Sequence, residues 1–220
     1  CDILMHYRLI PNSFHFENLS LFNTSYRGLH MKNNTYENDV RILGGKFKGK
    51  LLPVLDVEGL RPTPSRVRET IFSWIKDSLG NAKVLDLFAG SGALGLEAYS
   101  RGAKDVTLVE LDKDNSSNLK VIAKSMSYDE IHVINDDALH FLDNVSSTFN
   151  IVFIDPPYKL DIYEKVLEKL LDKNLIDDDS LIYVEMRNGS NKIVPGYEII
   201  REENAGQSKY SLWTKSKLLF

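Results

Sequence analysis

From residue 83 onward, short runs of branched apolar residues alternate with longer segments whose apolar positions recur at helical spacing. Parallel strands covered by helices on both faces give this pattern, because such strands are buried on two sides. The alternation therefore predicts an α/β fold. The predicted strands are Lys83 to Leu87, Val106 to Glu110, His132 to Asn135, Ile151 to Ile154 and Leu181 to Glu185, and the predicted helices are Ala93 to Ser100, Lys113 to Met126, Ala138 to Val145 and a segment after Asp161.

The last forty or so residues, roughly from 180 on, hold two further β-rich runs on either side of Gly206. Tyr197 to Arg201 and Lys209 to Thr214 are predicted to form a closing hairpin. With the five strands before it, this hairpin completes a Rossmann-like, seven-stranded, mostly parallel sheet. At the end of the fifth strand, Glu185 is a candidate for the side of the site that faces a substrate, although a structural contact would explain it equally well.

The segment before residue 83 follows different patterns. Val40 to Leu52 turns at Gly44 and Gly45 and predicts a small N-terminal β-hairpin, so residues 40–60 are assigned to a basic hairpin and residues 61–220 to the main domain. Ser65 is the predicted N-cap of a helix that runs to Gly80. Residues 1–39 show neither period and are predicted to be an accessory tail, with Met31 as a candidate natural start.

Composition narrows the class of protein. The chain has 220 residues, of which 43% are hydrophobic, enough for one α/β domain with a small extension. Its one cysteine, Cys1, cannot form a disulfide within the chain, so a reducing cytoplasm is the predicted location. No apolar run reaches the roughly 18 residues of a membrane span. His132 and His140 lack neighbours at ligand spacing, so no metal site is predicted.

A glycine loop follows the first predicted strand, with Gly90, Gly92 and Gly95 in the G-x-G-x-x-G spacing of nucleotide-binding folds. A dinucleotide and S-adenosylmethionine are both candidate ligands. Asp86, just ahead of the loop, would repel a pyrophosphate but attract the amino group and sulfonium of S-adenosylmethionine, so charge favours the methyl donor. Glu110 is expected to accept the ribose hydroxyls.

The turn after the third strand holds two further candidates for the donor site. Asp137 is placed to reach the adenine amino group, and Asp136 is an alternative for the same role. Either side chain could instead cap the helix that follows.

Asp155-Pro156-Pro157-Tyr158 follows the fourth strand and indicates methyl transfer to an exocyclic amino group. Such a nitrogen is a poor nucleophile because its lone pair is delocalised, and two acceptors that grip its hydrogens can make it tetrahedral. The Asp155 carboxylate and the Pro156 carbonyl would be those acceptors, and Tyr158 offers a face for base stacking, worth roughly 1–3 kcal/mol. An ordinary Pro-Pro turn with a surface tyrosine is the alternative explanation.

Charge is distributed unevenly along the chain. Residues 41–76 carry eight Lys or Arg against three acidic residues, although the net charge of the whole chain is −4. Phosphate binding and a solvated strand-and-helix face both account for such a cluster. The candidates for RNA contact are Arg41, Lys46, Lys48, Lys50, Arg61 and Arg66.

Several particular motifs occur together in this chain: Arg41 to Lys50, Leu60-Arg-Pro-Thr63, Arg66-Val-Arg-Glu-Thr70, Asp86 to Glu97, Asp155 to Tyr158 and Ala205-Gly-Gln207. With them the segment from Val40 to Trp213 resembles the RsmD family, bacterial small-subunit rRNA guanine-N2 methyltransferases. The glycine loop and Asp-Pro-Pro-Tyr are shared by many amino-methylating enzymes, whereas the Arg-Pro-Thr and Arg-Val-Arg-Glu-Thr run is far more particular.

The resemblance implies a class I S-adenosylmethionine-dependent methyltransferase fold. It also implies transfer of a methyl group to N2 of one guanine in 16S rRNA, on a partly or fully assembled small subunit, by a monomer. Asp155 and Pro156 would bind the amine, Tyr158 would stack, and the segment from Leu60 to Thr63 would lie over the donor pocket. The implied donor contacts are Thr63, Asp86, Phe88, Gly90, Gly92, Glu110, Leu111, Asp136, Asp137 and Ala138.

Three other functions stay open at the level of sequence. A DNA adenine-N6 methyltransferase usually carries an extra recognition domain, and this chain has no insertion large enough for one. A protein glutamine-N5 methyltransferase would be expected to have Asn where Asp155 stands. A non-catalytic nucleotide-binding module would have no need of Asp155 and Tyr158.

Overall fold

The structure is a computed structural model that describes residues 40–55, 63–127, 129–157, 160, 162–189 and 194–217. The predicted tail, Arg61 and Tyr158 therefore lie outside the described residues, as does the proposed start of the last helix at Asp161. The strands are β1 (Val40–Arg41), β2 (Leu51–Leu52), β3 (Lys83–Asp86), β4 (Asp105–Glu110), β5 (Ile131–Asn135), β6 (Phe149–Ile154), β7 (Ile176–Arg187), β8 (Tyr197–Ala205) and β9 (Ser208–Lys215), and the α-helices are α1 (Ser65–Ile75), α2 (Gly95–Ser100), α3 (Lys113–Lys124), α4 (Ala138–Asn144) and α5 (Tyr163–Asp172).

Seven strands form one mixed sheet in the order β5-β4-β3-β6-β7-β9-β8. β3 to β7 pair in parallel, whereas β9 runs antiparallel to both β7 and β8. This arrangement confirms the predicted Rossmann-like sheet. The strand order reverses beside β3, because β4 pairs with one edge of β3 and β6 with the other. Open α/β sheets bind ligands at such a point.

Apolar residues pack on both faces of this sheet. On one face, Ile151 and Phe153 of β6 and Tyr183 of β7 pack with apolar residues of α1, α2 and α3. On the other face, Val152 and Ile154 of β6 pack with residues of α4 and α5. Successive side chains of a strand point to opposite faces, so this alternation fixes the face on which each residue after a strand emerges.

Within the described part of the chain, the outer strand β8 pairs with β9 alone, and its register shifts between Ile199 and Arg201. Ile199 and Ile200 are exposed there, beside the exposed charged residues Glu198 and Glu202. The strand continues to Ala205, beyond the predicted end at Arg201, because the β8–β9 ladder extends to the turn at Gly206.

The predicted N-terminal hairpin is a shorter element than its sequence pattern indicated. Val40 pairs with Leu52 and Arg41 with Leu51, and each strand has two residues. Residues 42–50 form a turn that packs on the C-terminal end of α2, where the Lys46 N–H donates to the Ser100 carbonyl at 2.7 Å. Helix α2 therefore supports residues 42–50, which we call the basic turn from here on.

The prediction of Ser65 as a helix N-cap was wrong. Pro64 occupies the N-cap position, and no side chain caps the helix. The Ser65 hydroxyl instead accepts a hydrogen bond from Arg68 at 3.4 Å. α1 ends at Ile75 and passes into a short 3-10 turn, Lys76–Ser78, rather than running to Gly80.

Among the described residues, no helix has the length and apolar character needed to cross a membrane.

Candidate active site

Three acidic residues lie at the carboxyl ends of neighbouring strands. Asp86 ends β3, Glu110 ends β4 and Asp155 directly follows β6. These strands are adjacent and parallel, so the three side chains border one crevice beside the point where the strand order reverses.

The glycine loop closes one end of this crevice. Gly90 and Gly92 have φ values of 51° and 76°, which strongly favour glycine. A Cβ atom on Gly92 would lie 2.7 Å from Leu96 Cδ1, and one on Gly95 would lie 2.2 Å from Leu108 Cδ2. The loop and the start of α2 thus pack too closely for side chains at these positions.

Asp86 is only 1% exposed, and its Oδ2 atom accepts a hydrogen bond from the Gly95 N–H at 2.9 Å. Loss of hydration raises the pKa of Asp86 to about 7; the Gly95 hydrogen bond opposes this rise and repulsion by Glu110 adds to it. A nearby cation would stabilise the ionised form of such a buried carboxylate, whereas a phosphate would destabilise it further. The site therefore suits a positively charged ligand.

Glu110 holds the glycine loop from the neighbouring strand. Its Oε2 atom accepts from the Gly90 N–H and its Oε1 atom from the Asp112 N–H, both at 2.8 Å. Burial raises the pKa of Glu110, and these two hydrogen bonds oppose the rise. Each carboxylate oxygen has a second lone pair, so Glu110 can also accept hydrogen bonds from ligand hydroxyls. Leu111, which follows it, is 68% exposed and offers an apolar surface at the mouth of the crevice.

Asp136 and Asp137, which follow β5 and were predicted to bind adenine, both contact the start of α4. Asp137 caps α4, because its Oδ1 atom accepts from the Leu139 N–H at 2.9 Å and the His140 N–H at 3.1 Å. Asp136 pairs with the His140 ring at 2.8 Å. Helix capping was the stated alternative for this pair, and Asp137 has that role here. Ala138 is buried as the first residue of α4.

Asp155 lies in a polar cluster at the end of β6. Its Oδ2 atom accepts a hydrogen bond from the Thr63 hydroxyl at 3.0 Å. Loss of hydration raises the pKa of Asp155 well above its usual range, repulsion by Glu185 raises it further, and the Thr63 hydrogen bond lowers it. Thr63, predicted to contact the donor, thus directs its hydroxyl to the predicted catalytic carboxylate.

The two prolines after Asp155 have different environments. Pro156 is buried and Pro157 is exposed, and the Pro157 carbonyl accepts from the Leu160 N–H at 2.8 Å. Neither peptide bond is cis. Phe88, on the neighbouring loop, is partly buried against the core that contains Ile154.

Glu185 comes from the next strand. It is 8% exposed, and its Oε2 atom accepts a hydrogen bond from the Tyr183 hydroxyl at 2.9 Å. Phe153 pairs with Tyr183 in register, so Asp155 and Glu185, each two residues further along, emerge on the same face of the sheet.

A buried ion pair that the sequence analysis did not identify links this site to the basic turn. Arg68 is 2% exposed and lies 3.5 Å from Glu97, which is fully buried. Glu97 also accepts from the Leu43 N–H at 2.7 Å, the Gly44 N–H at 2.8 Å and Arg101 Nε at 2.6 Å.

The Arg68 guanidinium has further acceptors on two separate segments. It donates to the Thr63 carbonyl at 3.2 Å and to the Arg41 carbonyl at 3.1 Å. The helical spacing of Arg68 from Ile71 and Ile75 is a signal in the sequence that could have placed it on the buried face of α1.

The predicted RNA-contact residues occupy the outer side of this network. Arg41, Lys46, Lys48 and Arg66 are exposed and Lys50 is partly exposed. Arg41 donates to the Gly49 carbonyl at 3.0 Å, and the Lys46 ammonium lies 5.3 Å from the centre of the Phe47 ring. Within the part of the chain that the structure describes, no group of three or more His, Cys, Asp or Glu is placed to hold a metal ion.

Comparisons with known proteins identify relatives of this chain. The family described as "Conserved hypothetical protein 95" matches residues 40–214. Ribosomal RNA small subunit methyltransferase D of Escherichia coli (strain K12) is 40% identical over 185 residues, which cover 83% of this chain and 93% of that protein.

Solved structures of proteins described as methyltransferases or methylases are also similar to this chain. "Putative methyltransferase yhhF from Escherichia coli" is 39% identical with a TM-score of 0.75, over 81% of this chain and 98% of that one. A putative methylase from Haemophilus influenzae, HI0767, is 36% identical with a TM-score of 0.71, over 81% of this chain and 99% of that one.

Proposed function

Since this chain belongs to the RsmD family, we propose that it transfers a methyl group from S-adenosylmethionine to N2 of one guanine in 16S rRNA. The chain is a methyltransferase of the class that modifies ribosomal RNA, and the guanine-N2 target is the more specific part of the proposal. One observation carries it: Asp155, which accepts a hydrogen bond from Thr63, directly follows β6, and β6 pairs with β3, which ends at Asp86 just ahead of the glycine loop. An amine acceptor and a site for a cation thus share one crevice.

S-adenosylmethionine is the methyl donor, and when bound it supplies an activated methyl group on a cationic sulfur. The residues present fit such a group. Asp86 is a buried carboxylate whose raised pKa a cation would bring down, and Glu110 has the capacity to accept ribose hydroxyls. Leu111 offers an exposed apolar surface for the adenine ring.

On the substrate side, Asp155 and the Pro156 carbonyl accept the two hydrogens of the guanine amino group. This pair of acceptors turns the nitrogen lone pair toward the methyl carbon and favours a tetrahedral nitrogen. As the new N–C bond forms and the C–S bond breaks, the nitrogen becomes acidic and its proton passes toward the Asp155 carboxylate. Alignment of two bound reactants can contribute on the order of 7–11 kcal/mol.

The guanine must leave its stack to reach Asp155, which costs a few kcal/mol. Tyr158 would offset part of this cost by stacking, and the basic turn would contact RNA phosphates. We propose a partly or fully assembled small subunit as the substrate, because the shape of a folded target would add specificity to the phosphate contacts of the basic turn.

Nucleoside analysis tests the proposed function directly. Labelled donor would be supplied with naked 16S RNA, with small subunits from cells that lack the modification, and with duplex DNA. We expect labelled N2-methylguanosine from the subunits. Labelled N6-methyladenine from the DNA, or a labelled protein glutamine, would overturn the assignment.

Replacement of Asp155 by Ala is expected to leave donor binding intact and to lower the rate of methyl transfer by roughly 10²–10³-fold, because a transition-state contact is lost. Calorimetry with the donor and single-turnover rates measure the two quantities. Asp179→Ala is the matched control, since that carboxylate is exposed at the far end of β7. If Asp155→Ala reduced both donor binding and the rate to the same degree, Asp155 would be a donor ligand instead.

A further inference from the structure

Asp155 and Glu185 form a pair of carboxylates on one face of the sheet. β6 and β7 are parallel neighbours, with Phe153 opposite Tyr183 and Ile154 opposite Val184. Adjacent strands lie about 4.8 Å apart, and side chains alternate between faces, so residues 155 and 185 stand side by side above Phe153 and Tyr183. Repulsion by Glu185 contributes to the raised pKa of Asp155, as expected for neighbouring carboxylates.

Contacts below the pair fix the direction of Glu185. The buried Tyr183 hydroxyl donates to its Oε2 atom at 2.9 Å. The Tyr183 ring packs edge-on against Phe153, with the ring centres 6.1 Å apart, so the donor cannot move freely. A carboxylate has about four acceptor sites, so one side chain can serve both the Tyr183 hydroxyl and a donor on a ligand.

We propose that Glu185 accepts the N1–H of the target guanine while Asp155 accepts the neighbouring amino group, so that the pair selects guanine over adenine. This assignment rests on the proposed function. The edge of guanine presents N1–H and the N2 amino group side by side as donors, which matches two adjacent acceptors. Adenine presents a lone pair at N1 beside its amino group, and a carboxylate opposite that lone pair is repelled.

Asp155 alone cannot make this distinction. A single acceptor grips the exocyclic amine of either purine, because both amines donate. Discrimination requires a second group that reads the ring nitrogen, and a buried polar group left unpaired by the wrong base carries a large penalty. Among the described residues, Glu185 is the carboxylate that borders Asp155 on the β7 side.

The test uses the whole protein with reconstituted small subunits that carry either guanine or 2-aminopurine at the target position. 2-Aminopurine keeps the 2-amino group but has an unprotonated N1. We expect the unaltered protein to prefer guanine by about 10- to 100-fold in kcat/KM, which is the value of one hydrogen bond to a charged group. In Glu185→Gln the side-chain amide can donate to N1, so the preference should fall by at least tenfold or invert.

The preference is the ratio of kcat/KM for guanine to kcat/KM for 2-aminopurine, measured for each variant. A change in the basicity of Asp155 that affects both bases equally therefore does not alter this ratio. Glu203→Gln is the matched control. Glu203 accepts from the Tyr210 hydroxyl at 2.8 Å, as Glu185 does from Tyr183, but it is exposed on β8. This variant is expected to keep the full preference for guanine.

Two results would overturn the role of Glu185 while leaving the proposed function intact. One is an unaltered protein that methylates both bases equally well, a result that needs no variant to fold. The other is a Glu185→Gln protein that binds donor normally and keeps the full preference. Failure of the proposed function looks different, because no N2-methylated guanine would then form in any subunit.

Discussion

Asp155 receives its hydrogen bond from Thr63, which lies 92 residues earlier in the chain. The sequence predicts Asp155 from the motif that follows a buried strand, and Asp86 and Glu110 from their positions relative to the glycine loop. It did not find the partner of Asp155, because a long-range hydrogen bond leaves no local pattern. Thr63 was expected to serve the donor, and only the fold shows that its hydroxyl faces the other side of the crevice.

Thr63→Val is expected to move the acid limb of the pH–rate profile to higher pH. In the proposed mechanism the ionised form of Asp155 accepts the amine, so the rate is expected to fall as pH falls through its pKa. The Thr63 hydroxyl lowers that pKa by donating to the carboxylate, and its removal raises the pKa further above the usual range of an aspartate. Single-turnover rates between pH 5 and 9, roughly the range in which carboxylates with raised pKa titrate, measure the shift.

Thr63→Ser is the matched variant, because it keeps the hydroxyl and should keep the profile of the unaltered protein. A Thr63→Val profile that superimposes on the unaltered one would show that the hydrogen bond does not tune Asp155. At neutral pH the lost bond is expected to lower the rate by up to about tenfold.

At the scale of elements, buried strands were predicted best. β3, β4 and β6 lie within two residues of their predicted bounds, because burial on both faces leaves continuous apolar runs. The mostly exposed edge strand β5 also lies within one residue of its predicted bounds. β7 begins at Ile176 rather than Leu181, since Asp177, Asp178 and Asp179 do not read as a strand. A tertiary contact that the sequence pattern does not show holds this part of β7 beside β6: the buried Ser180 hydroxyl donates to the Phe149 carbonyl at 2.9 Å.

The basic turn was predicted as part of a hairpin, but its docking on α2 was not. Alternating Lys and apolar residues resemble a strand, whereas Gly45 and Gly49 have φ values of 77° and 89° and turn the chain. A Cβ atom on Gly45 would lie 1.8 Å from the Ser100 carbonyl oxygen, so the turn rests directly on the helix end. Glu97 and Ser100 then hold it through its backbone N–H groups.

Glu97→Gln is expected to destabilise the protein by about 3–5 kcal/mol, since it leaves Arg68 buried without its counter-ion. The amide would also present an N–H where Glu97 now accepts from Leu43, Gly44 and Arg101. Urea unfolding followed by circular dichroism measures the change in the free energy of unfolding.

Glu198→Gln, on the exposed face of β8, is the control and should change the free energy of unfolding by less than about 0.5 kcal/mol. Equal midpoints for the two variants would mean that the Arg68–Glu97 pair adds no net stability over its neutral counterpart.

At the scale of the whole molecule, charge is segregated. The basic turn and α1 carry most of the positive excess of residues 41–76, in a chain whose net charge is −4. The described residues place Arg41, Lys46, Lys48 and Arg66 at the surface, on the side where α1, α2 and α3 cover the sheet. An acidic remainder would disfavour binding of RNA elsewhere, so under the proposed function this asymmetry would orient the nucleic acid.

Replacement of Lys46, Lys48 and Lys50 by Gln is expected to weaken RNA binding and to flatten its salt dependence. Each lost phosphate contact reduces the magnitude of the negative slope of log K against log salt by roughly 0.7. Filter binding over a range of salt concentrations measures the slope.

Lys165→Gln, Lys169→Gln and Lys173→Gln together form the control, because α5 covers the opposite face of the sheet. The control should keep the slope of the unaltered protein. An unchanged slope in the first variant would show that its three lysines do not touch phosphates.

The register shift in β8 has a consequence for behaviour at high concentration. A flat outer strand with free backbone N–H and carbonyl groups is a template on which another chain can add itself. Here the β8–β9 ladder shifts register next to the exposed Ile199 and Ile200, and the charged residues Glu198 and Arg201 flank them. An incoming strand would meet irregular backbone spacing and charged side chains where it would otherwise gain most, so this border of the sheet guards against fibrous association.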